Sequence, residues 1–133
     1  AQSDRMQTDA HTVEPPASTR GGLQLMARFG VSSLVIERHD ERDELGLIAV
    51  SDIARDVIAK NRSLDRVDAY EVMTKPVVTL DADMDVKYAA RLLSDLHLSR
   101  DLVVDHDRNL VGIATLRDMV LAYTDLGETE ETT

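Results

Sequence analysis

The chain has 133 residues, a net charge of −10 at pH 7 and no cysteine. This length and composition are typical of a folded chain with its own core, and the negative charge argues against nucleic acid or anionic membrane as partners. The lack of cysteine excludes disulfides, thiolate catalysis and cysteine-based zinc sites, and it fits a cytoplasmic location. No apolar run is long enough to cross a bilayer.

The chain repeats itself at an offset of 67 residues. The identities at this offset are Met6 with Met73, Thr12 with Thr79, Leu25 with Leu92, Ser32 with Ser99 and His39 with His106. After the charged stretch 38–44 the offset drops to 66, so that Gly46 aligns with Gly112 and Asp52 with Asp118. Self-similarity of this kind predicts two copies of one structural unit.

Each copy has the same predicted order of elements. In the first copy a strand at 11–14 precedes a helix, strands at 34–36 and 45–50 follow, and a second helix begins near Asp52. In the second copy the strands are 77–80, 102–104 and 110–116, and the last helix begins near Asp118. The helix between the first two strands of this copy is the clearest one, since Val86, Ala89, Leu93 and Leu96 recur at helical spacing. The fold class is therefore α/β (α+β), with a β-α-β-β-α order in each repeat.

The first copy departs from regular patterning at Gly21-Gly22, where its first helix should start and where each glycine lowers helix stability. We predict a first repeat at 4–58, a polar linker at 59–70 and a second repeat at 71–124. The acidic tail 125–133 lacks apolar periodicity and is predicted to be disordered.

Three sequence motifs carry a resemblance to a known family. The second copy opens with MTKPVVTL at 73–80 and contains VVD at 103–105 and GIATLRDM at 112–119. The first copy has GLIAVSDI at 46–53 in place of the last motif. This pattern, from residue 4 to about residue 124, resembles a tandem pair of cystathionine-β-synthase (CBS) domains, also called a Bateman module.

The resemblance implies a regulatory module and not an enzyme. CBS domains pack in pairs with pseudo-twofold symmetry, and the cleft between the repeats commonly binds an adenine nucleotide such as AMP, ADP or ATP. NAD or S-adenosylmethionine are further ligands that the resemblance allows. It also implies a homodimer and a regulated partner or attached domain, whose identity the sequence does not give.

Thr115 and Asp118 are the first candidates for binding such a nucleotide. An ionised Asp118 offers two acceptor oxygens to the two hydroxyls of a ribose, and a helix start presents free N–H groups to phosphate. By resemblance, Asp118 holds ribose and Thr115 contacts phosphate. Thr-x-x-Asp is also a pattern that simply caps a helix, and the two roles are compatible.

Asp52 is the corresponding carboxylate of the first copy, but Ala49 stands where the second copy has Thr115. The resemblance assigns Arg100 to a phosphate at the Asp52 site, across the pair. The alternative is that Arg100 is a solvated or ion-paired surface residue with no role in binding. Ser32-Ser33 occupies the equivalent position and carries no charge. Each predicted site thus lacks a different part of the family pattern.

The adenine side of each predicted site is assigned by resemblance to the opening segments and to two strand residues. These are Lys75 to Val77 for one site, Asp9 to His11 for the other, and the apolar Ile113 and Leu47.

His39-Asp40 and Asp105-His106-Asp107 suggest metal ligands, but both lie in predicted turns, where Asp side chains usually bond to their own backbone. We therefore expect no metal site. No nucleophile elbow, Walker loop or glycine-rich dinucleotide loop is present, so we expect no catalysis.

Two functions from different classes remain open. The first is a nucleotide sensor. The second is a CBS pair that binds no ligand and acts as a dimerisation or interaction scaffold, which Ala49, Ser32-Ser33 and Gly21-Gly22 favour. The chain is also compatible with being a piece of a longer enzyme or transporter, since its first residue is Ala1.

Overall fold

The computed structural model describes the backbone of residues 11–132 and the side chains of residues 11–125. The expected roles of Met6 and Asp9 lie outside these residues. The chain divides into two compact units, the first of residues 11–77 and the second from Val78 onward.

The first unit is a three-stranded sheet with helices. Its elements are β1 (Thr12–Val13), α1 (Thr19–Phe29), β2 (Ser33–Ile36), β3 (Gly46–Ala49), α2 (Val50–Ile53) with a π-helical turn at Ala54–Ile58, and α3 (Ala69–Val72). The strand order is β1-β2-β3, in which β1 is parallel and β3 antiparallel to β2.

The second unit repeats this arrangement. Its elements are β4 (Leu80–Asp81), α4 (Val86–Asp95), β5 (Arg100–Val104), β6 (Leu110–Thr115) and α5 (Leu116–Thr132). The order is β4-β5-β6, again with one parallel and one antiparallel pairing. The predicted mixed α/β fold of two β-α-β-β-α units is confirmed.

Each unit buries its own apolar core between sheet and helices. In the first unit Leu34, Ile36 and Ile48 pack with helix residues such as Met26 and Ile53. The core of the second unit comprises Leu80, Val86, Ala89, Leu93, Val103, Ala114 and Met119. Because side chains alternate along a strand, Val103 and Ala114 mark the helix-facing side of the second sheet.

The segment that precedes β4 belongs structurally to the first unit. The N–H of Ala69 donates to the carbonyl of Ala17 at 2.7 Å, and the N–H of Thr19 donates to the carbonyl of Val67 at 2.8 Å. Leu47 and Thr74 exchange two backbone bonds of 2.8 Å. The boundaries 58, 70 and 124 predicted from the sequence stay predictions. At the other end, α5 continues to Thr132 through most of the tail that we expected to be disordered.

Helix α1 forms despite its two glycines because both of its ends are capped. The side chain of Ser18 accepts the N–H of Gly21 at 3.0 Å. Gly30 ends the helix with φ 67°, a left-handed conformation that glycine adopts at little cost.

Replacing Gly22 with alanine is expected to raise the free energy of unfolding by about 0.5–1 kcal/mol. An added Cβ would meet only Leu34 Cδ1 at 3.9 Å, an ordinary contact, so the gain in helix propensity is not offset by a clash. Thermal unfolding monitored by circular dichroism measures the change. Gly30→Ala is the control and should be destabilising, since its positive φ strains any side chain. Equal effects of the two substitutions would contradict this explanation.

Candidate functional site

The candidate site of the second unit lies where β6 ends and α5 begins. Thr115 is the last residue of β6, and its Oγ1 accepts the backbone N–H of Asp118 at 3.1 Å. This bond satisfies one of the free N–H groups at the helix start. The Asp118 side chain is 43% exposed and forms an ion pair with Arg117 at 3.5 Å. The carboxylate is therefore accessible to a ligand.

Arg100 lies directly opposite Thr115 in the sheet of the second unit. The two are register partners on β5 and β6, and the Leu116 N–H bonds to the Ser99 carbonyl just beyond them at 2.8 Å. Such a pair has its side chains on the same face and close together. The register thus places Arg100 on the same face of the sheet as Thr115 within one unit, whereas the resemblance gave the Thr115 site no cation from the other repeat. The assignment of Arg100 to the Asp52 site stays a prediction.

The equivalent position of the first unit is built differently. Asp52 Oδ2 accepts the N–H of Ala49 at 2.8 Å, and Oδ1 accepts Nη2 of Arg55 at 2.9 Å. Its side chain is only 13% exposed. Both carboxylate oxygens therefore have partners inside the first unit.

Lys75 is already engaged in the first unit. Its Nζ forms an ion pair with Asp43 Oδ1 and lies 5.8 Å from the centre of the Tyr70 ring. The hydrogen bond from Lys75, together with the N–H of His39, lowers the pKa of Asp43 to about 2. The same hydrogen bond raises the pKa of Lys75. This lysine binds the charged turn before β3, a partner that the sequence did not indicate.

The other predicted residues of the first unit are spread over several elements. The His11 ring stacks on Phe29 with centroids 4.0 Å apart, and its carbonyl accepts the N–H of Val35. Val77 is 93% exposed. Leu47 precedes the core residue Ile48 on β3, so it points to the face of the sheet opposite the helices.

Ile113 holds the same position in the second unit, since it precedes Ala114 of the core on β6 and pairs with Leu102. The structure thus groups Arg100, Thr115 and Asp118 around one helix start.

Sequence reasoning missed Arg55. It follows Asp52 by three residues, a spacing at which helical side chains meet, so the signal was present in the sequence. Hydrogen bonds to Asp56 and to Asp52 raise the pKa of Arg55. The second repeat has Leu121 at the corresponding place, 66 residues further on.

Sequence reasoning also missed Asp101, a buried carboxylic acid. It is 1% exposed, and it shares the helix-facing side of the sheet with Val103 and with its register partner Ala114. Oδ1 accepts the N–H of Leu102 at 2.7 Å, but Oδ2 has no hydrogen-bond partner in the described part of the chain. Burial raises the pKa of Asp101 to about 6. The first repeat has Leu34 at this position, inside its core.

Within residues 11–125, no three His, Asp or Glu side chains are grouped as a metal would require. Asp105 in the second turn bonds the backbone N–H groups of Asp107 and Asn109 at 2.9 Å each. None of the described helices is both long and apolar enough to cross a bilayer.

Comparison with known proteins agrees with this architecture. The family model for the CBS domain matches residues 69–125. An uncharacterized protein of Methanopyrus kandleri is 34% identical over 96 residues, which are 71% of this chain and 48% of that protein. A homoserine O-acetyltransferase of Methanosalsum zhilinae is 32% identical over 111 residues, 84% of this chain and 21% of that one. The chain thus spans half or less of the length of these relatives.

Among solved structures, a CBS domain protein from Pyrobaculum aerophilum complexed with AMP has the same fold. The two structures compare with a TM-score of 0.75 at 22% sequence identity, and the match covers 87% of this chain and 87% of that one. Two units with one sheet topology, each with a helix starting at a Thr/Ala-x-x-Asp motif, define a repeated α/β module. Residues 69–125 match the CBS domain, and the two units are consistent with a tandem CBS pair.

Proposed function

We propose that this chain is a regulatory CBS module that binds an adenosine-containing nucleotide, with Thr115, Asp118 and Arg100 as its working residues. The observation that carries the proposal is the accessible Asp118 carboxylate at the start of α5, next to the Thr115 hydroxyl. Two carboxylate oxygens match a ribose diol, and a nearby arginine suits a phosphate. The solved neighbour with bound AMP supports this choice of ligand class.

The proposed role is regulatory and not catalytic. Occupancy of the site would favour one conformation of the module, and a partner or attached domain would respond through its different affinity for the two states. The relatives extend well beyond the matched region, which is the organisation expected when a binding module is joined to other domains.

Binding of AMP is expected to stabilise the folded chain. At a hundredfold excess over Kd the gain is about 2.7 kcal/mol, which should raise the midpoint of thermal unfolding by roughly ten degrees for a chain of this size. The same scan with ADP, ATP, NAD and S-adenosylmethionine ranks the ligands. Asp118→Asn should lower affinity by roughly tenfold or more, because a charge-assisted hydrogen bond is lost.

Two controls separate the ribose contact of Asp118 from the phosphate contact of Arg100. 2′,3′-Dideoxyadenosine monophosphate lacks the diol and should bind as poorly to the wild-type protein as AMP binds to Asp118→Asn. Arg100→Gln should weaken AMP but leave neutral adenosine unchanged. If none of the five adenosine-containing compounds shifts the midpoint of thermal unfolding at millimolar concentration, the proposal is refuted.

A dimerisation scaffold is the second candidate function. Helix α5 exposes Val120, Leu121 and Tyr123, which are each about half exposed, and Tyr88 on α4 is 60% exposed. Exposed apolar side chains concentrated on two helices are typical of surfaces that associate. Sedimentation as a function of protein concentration, with a Val120→Asp variant that should remain monomeric, tests this homodimer without any ligand.

A further inference from the structure

The two corresponding helix starts are capped in opposite ways. In the second unit the Thr115 hydroxyl accepts the N–H of Asp118, so the carboxylate itself is not used for capping. In the first unit Ala49 has no hydroxyl, and the carboxylate of Asp52 accepts the N–H of Ala49 instead. A hydroxyl caps the helix start in the second unit, whereas the carboxylate of Asp52 does so in the first.

Arg55 adds a second difference between the two helix starts. It takes the remaining oxygen of Asp52 at 2.9 Å, and the side chain of Asp52 is 13% exposed, against 43% for Asp118. Leu121, which replaces Arg55 in the second repeat, cannot form an ion pair. Asp118 therefore keeps accessible acceptor oxygens, whereas a ligand at the less exposed Asp52 would have to compete with Arg55 and a backbone N–H for both oxygens.

We infer that Arg55, together with Ala49, withholds the first-unit carboxylate from ligands, so that the chain binds one nucleotide through Asp118. The inference rests on the proposed function for its ligand class. The ion pair of Arg55 is exposed, so on its own it lowers affinity at Asp52 only by roughly two- to fivefold. The missing threonine hydroxyl adds to this effect, and both must be restored to open the site.

The test converts the first unit to the arrangement of the second. Adenosine and AMP are titrated by isothermal calorimetry into the wild-type chain, the double variant Ala49→Thr/Arg55→Leu, and the same double variant with Asp52→Asn. Adenosine is included because it is neutral, so that loss of the Arg55 charge does not act on a phosphate. We expect one ligand per wild-type chain, two per double variant, and one again when Asp52 is removed.

The controls keep this inference separate from the proposed function. Ala49→Thr/Arg55→Lys retains the cation and should bind the second ligand roughly two- to fivefold more weakly than Ala49→Thr/Arg55→Leu, and Asp52→Asn alone should leave wild-type binding unchanged. If wild-type binding depends on Asp52, or if the double variant gains no site, the inference is wrong although the module still binds a nucleotide. If the wild-type chain binds neither compound, the proposed function fails. In that case the binding of one nucleotide through Asp118 fails with it, and a gain of binding in the double variant that depends on Asp52 would support only the blocking role of Arg55 and Ala49.

Discussion

Replacing Asp101 with leucine is expected to raise the free energy of unfolding at pH 7 by about 3 kcal/mol. Burial raises the pKa of this carboxyl from 3.8 to about 6, and two pKa units correspond to about 3 kcal/mol. Leucine is the residue that the first repeat carries at the same core position, Leu34. Replacing a buried acid that has an unpaired oxygen with an apolar side chain removes this penalty.

The sign of the pH dependence follows from the direction of the shift. Below about pH 4 Asp101 is protonated in both folded and unfolded chains, so its ionisation costs nothing. Between about pH 4 and 6 the unfolded chain loses this proton and the folded chain retains it, so stability falls as the pH rises. Above about pH 6 the full penalty is present.

Among residues 11–125, no charged partner offsets the penalty. Arg100 points to the opposite face of β5, and no ion pair joins Asp101 to a described residue of β4, β6, α4 or α5. The charged residues among the described side chains of these elements are Asp81, Lys87, Arg91, Asp95, Arg117, Asp118 and Asp125.

Urea unfolding from pH 4 to 8 measures the effect as a difference between variants, which cancels the titration of all other groups. Asp101→Asn is the matched control: it removes the charge but keeps a polar side chain, so it should abolish the pH dependence with a smaller gain than leucine. A wild-type chain that differs from Asp101→Leu by the same amount at every pH would contradict a shifted carboxyl.

Replacing Gly46 with alanine is expected to lower the free energy of unfolding by about 1–3 kcal/mol, the usual cost of overpacking. Gly46 begins β3, and a Cβ there would overlap the sulfur of Met73. Met73 precedes Thr74, whose backbone is bonded on both sides to Leu47. The backbone beside Met73 is therefore held next to the strand, and the Met73 side chain, which packs against the first core, must shift to admit the new Cβ.

A double-mutant cycle tests this contact. In a Met73→Ala background the Gly46→Ala substitution should cost much less than in the wild-type chain, because the obstructing sulfur is absent. Thermal unfolding of the four proteins supplies the coupling energy. Strictly additive effects would show that the cost arises from the backbone and not from Met73.

The fold was largely predictable because it follows from local patterns. Apolar residues at helical spacing in 86–96 and β-branched runs at 34–36 and 102–104 gave the correct elements, and the offset of 67 residues showed their repetition. The strand β5 nevertheless begins earlier than predicted, at Arg100. A charged Arg100-Asp101 pair is typical of a loop in the sequence. In the structure, pairing with Thr115 and Ala114 of β6 extends the strand to Arg100.

The candidate site was predictable only in part. Thr115 and Asp118 lie together as expected, since a Thr-x-x-Asp motif spans only four residues and forms its hydrogen bond locally. The pairing of Asp52 with Arg55 is equally local, but the sequence offers Asp52 several competing roles.

The sequence by itself determined the two repeated units, their order of elements and the helix starts that carry Asp52 and Asp118. These depend on interactions between residues close in the chain. Tertiary structure alone decided that Lys75 pairs with Asp43, that Arg100 stands opposite Thr115, and that Asp101 is buried. Each of those outcomes depends on strand register or on contacts between distant segments, where the partner of a charge is set by packing and not by spacing along the chain.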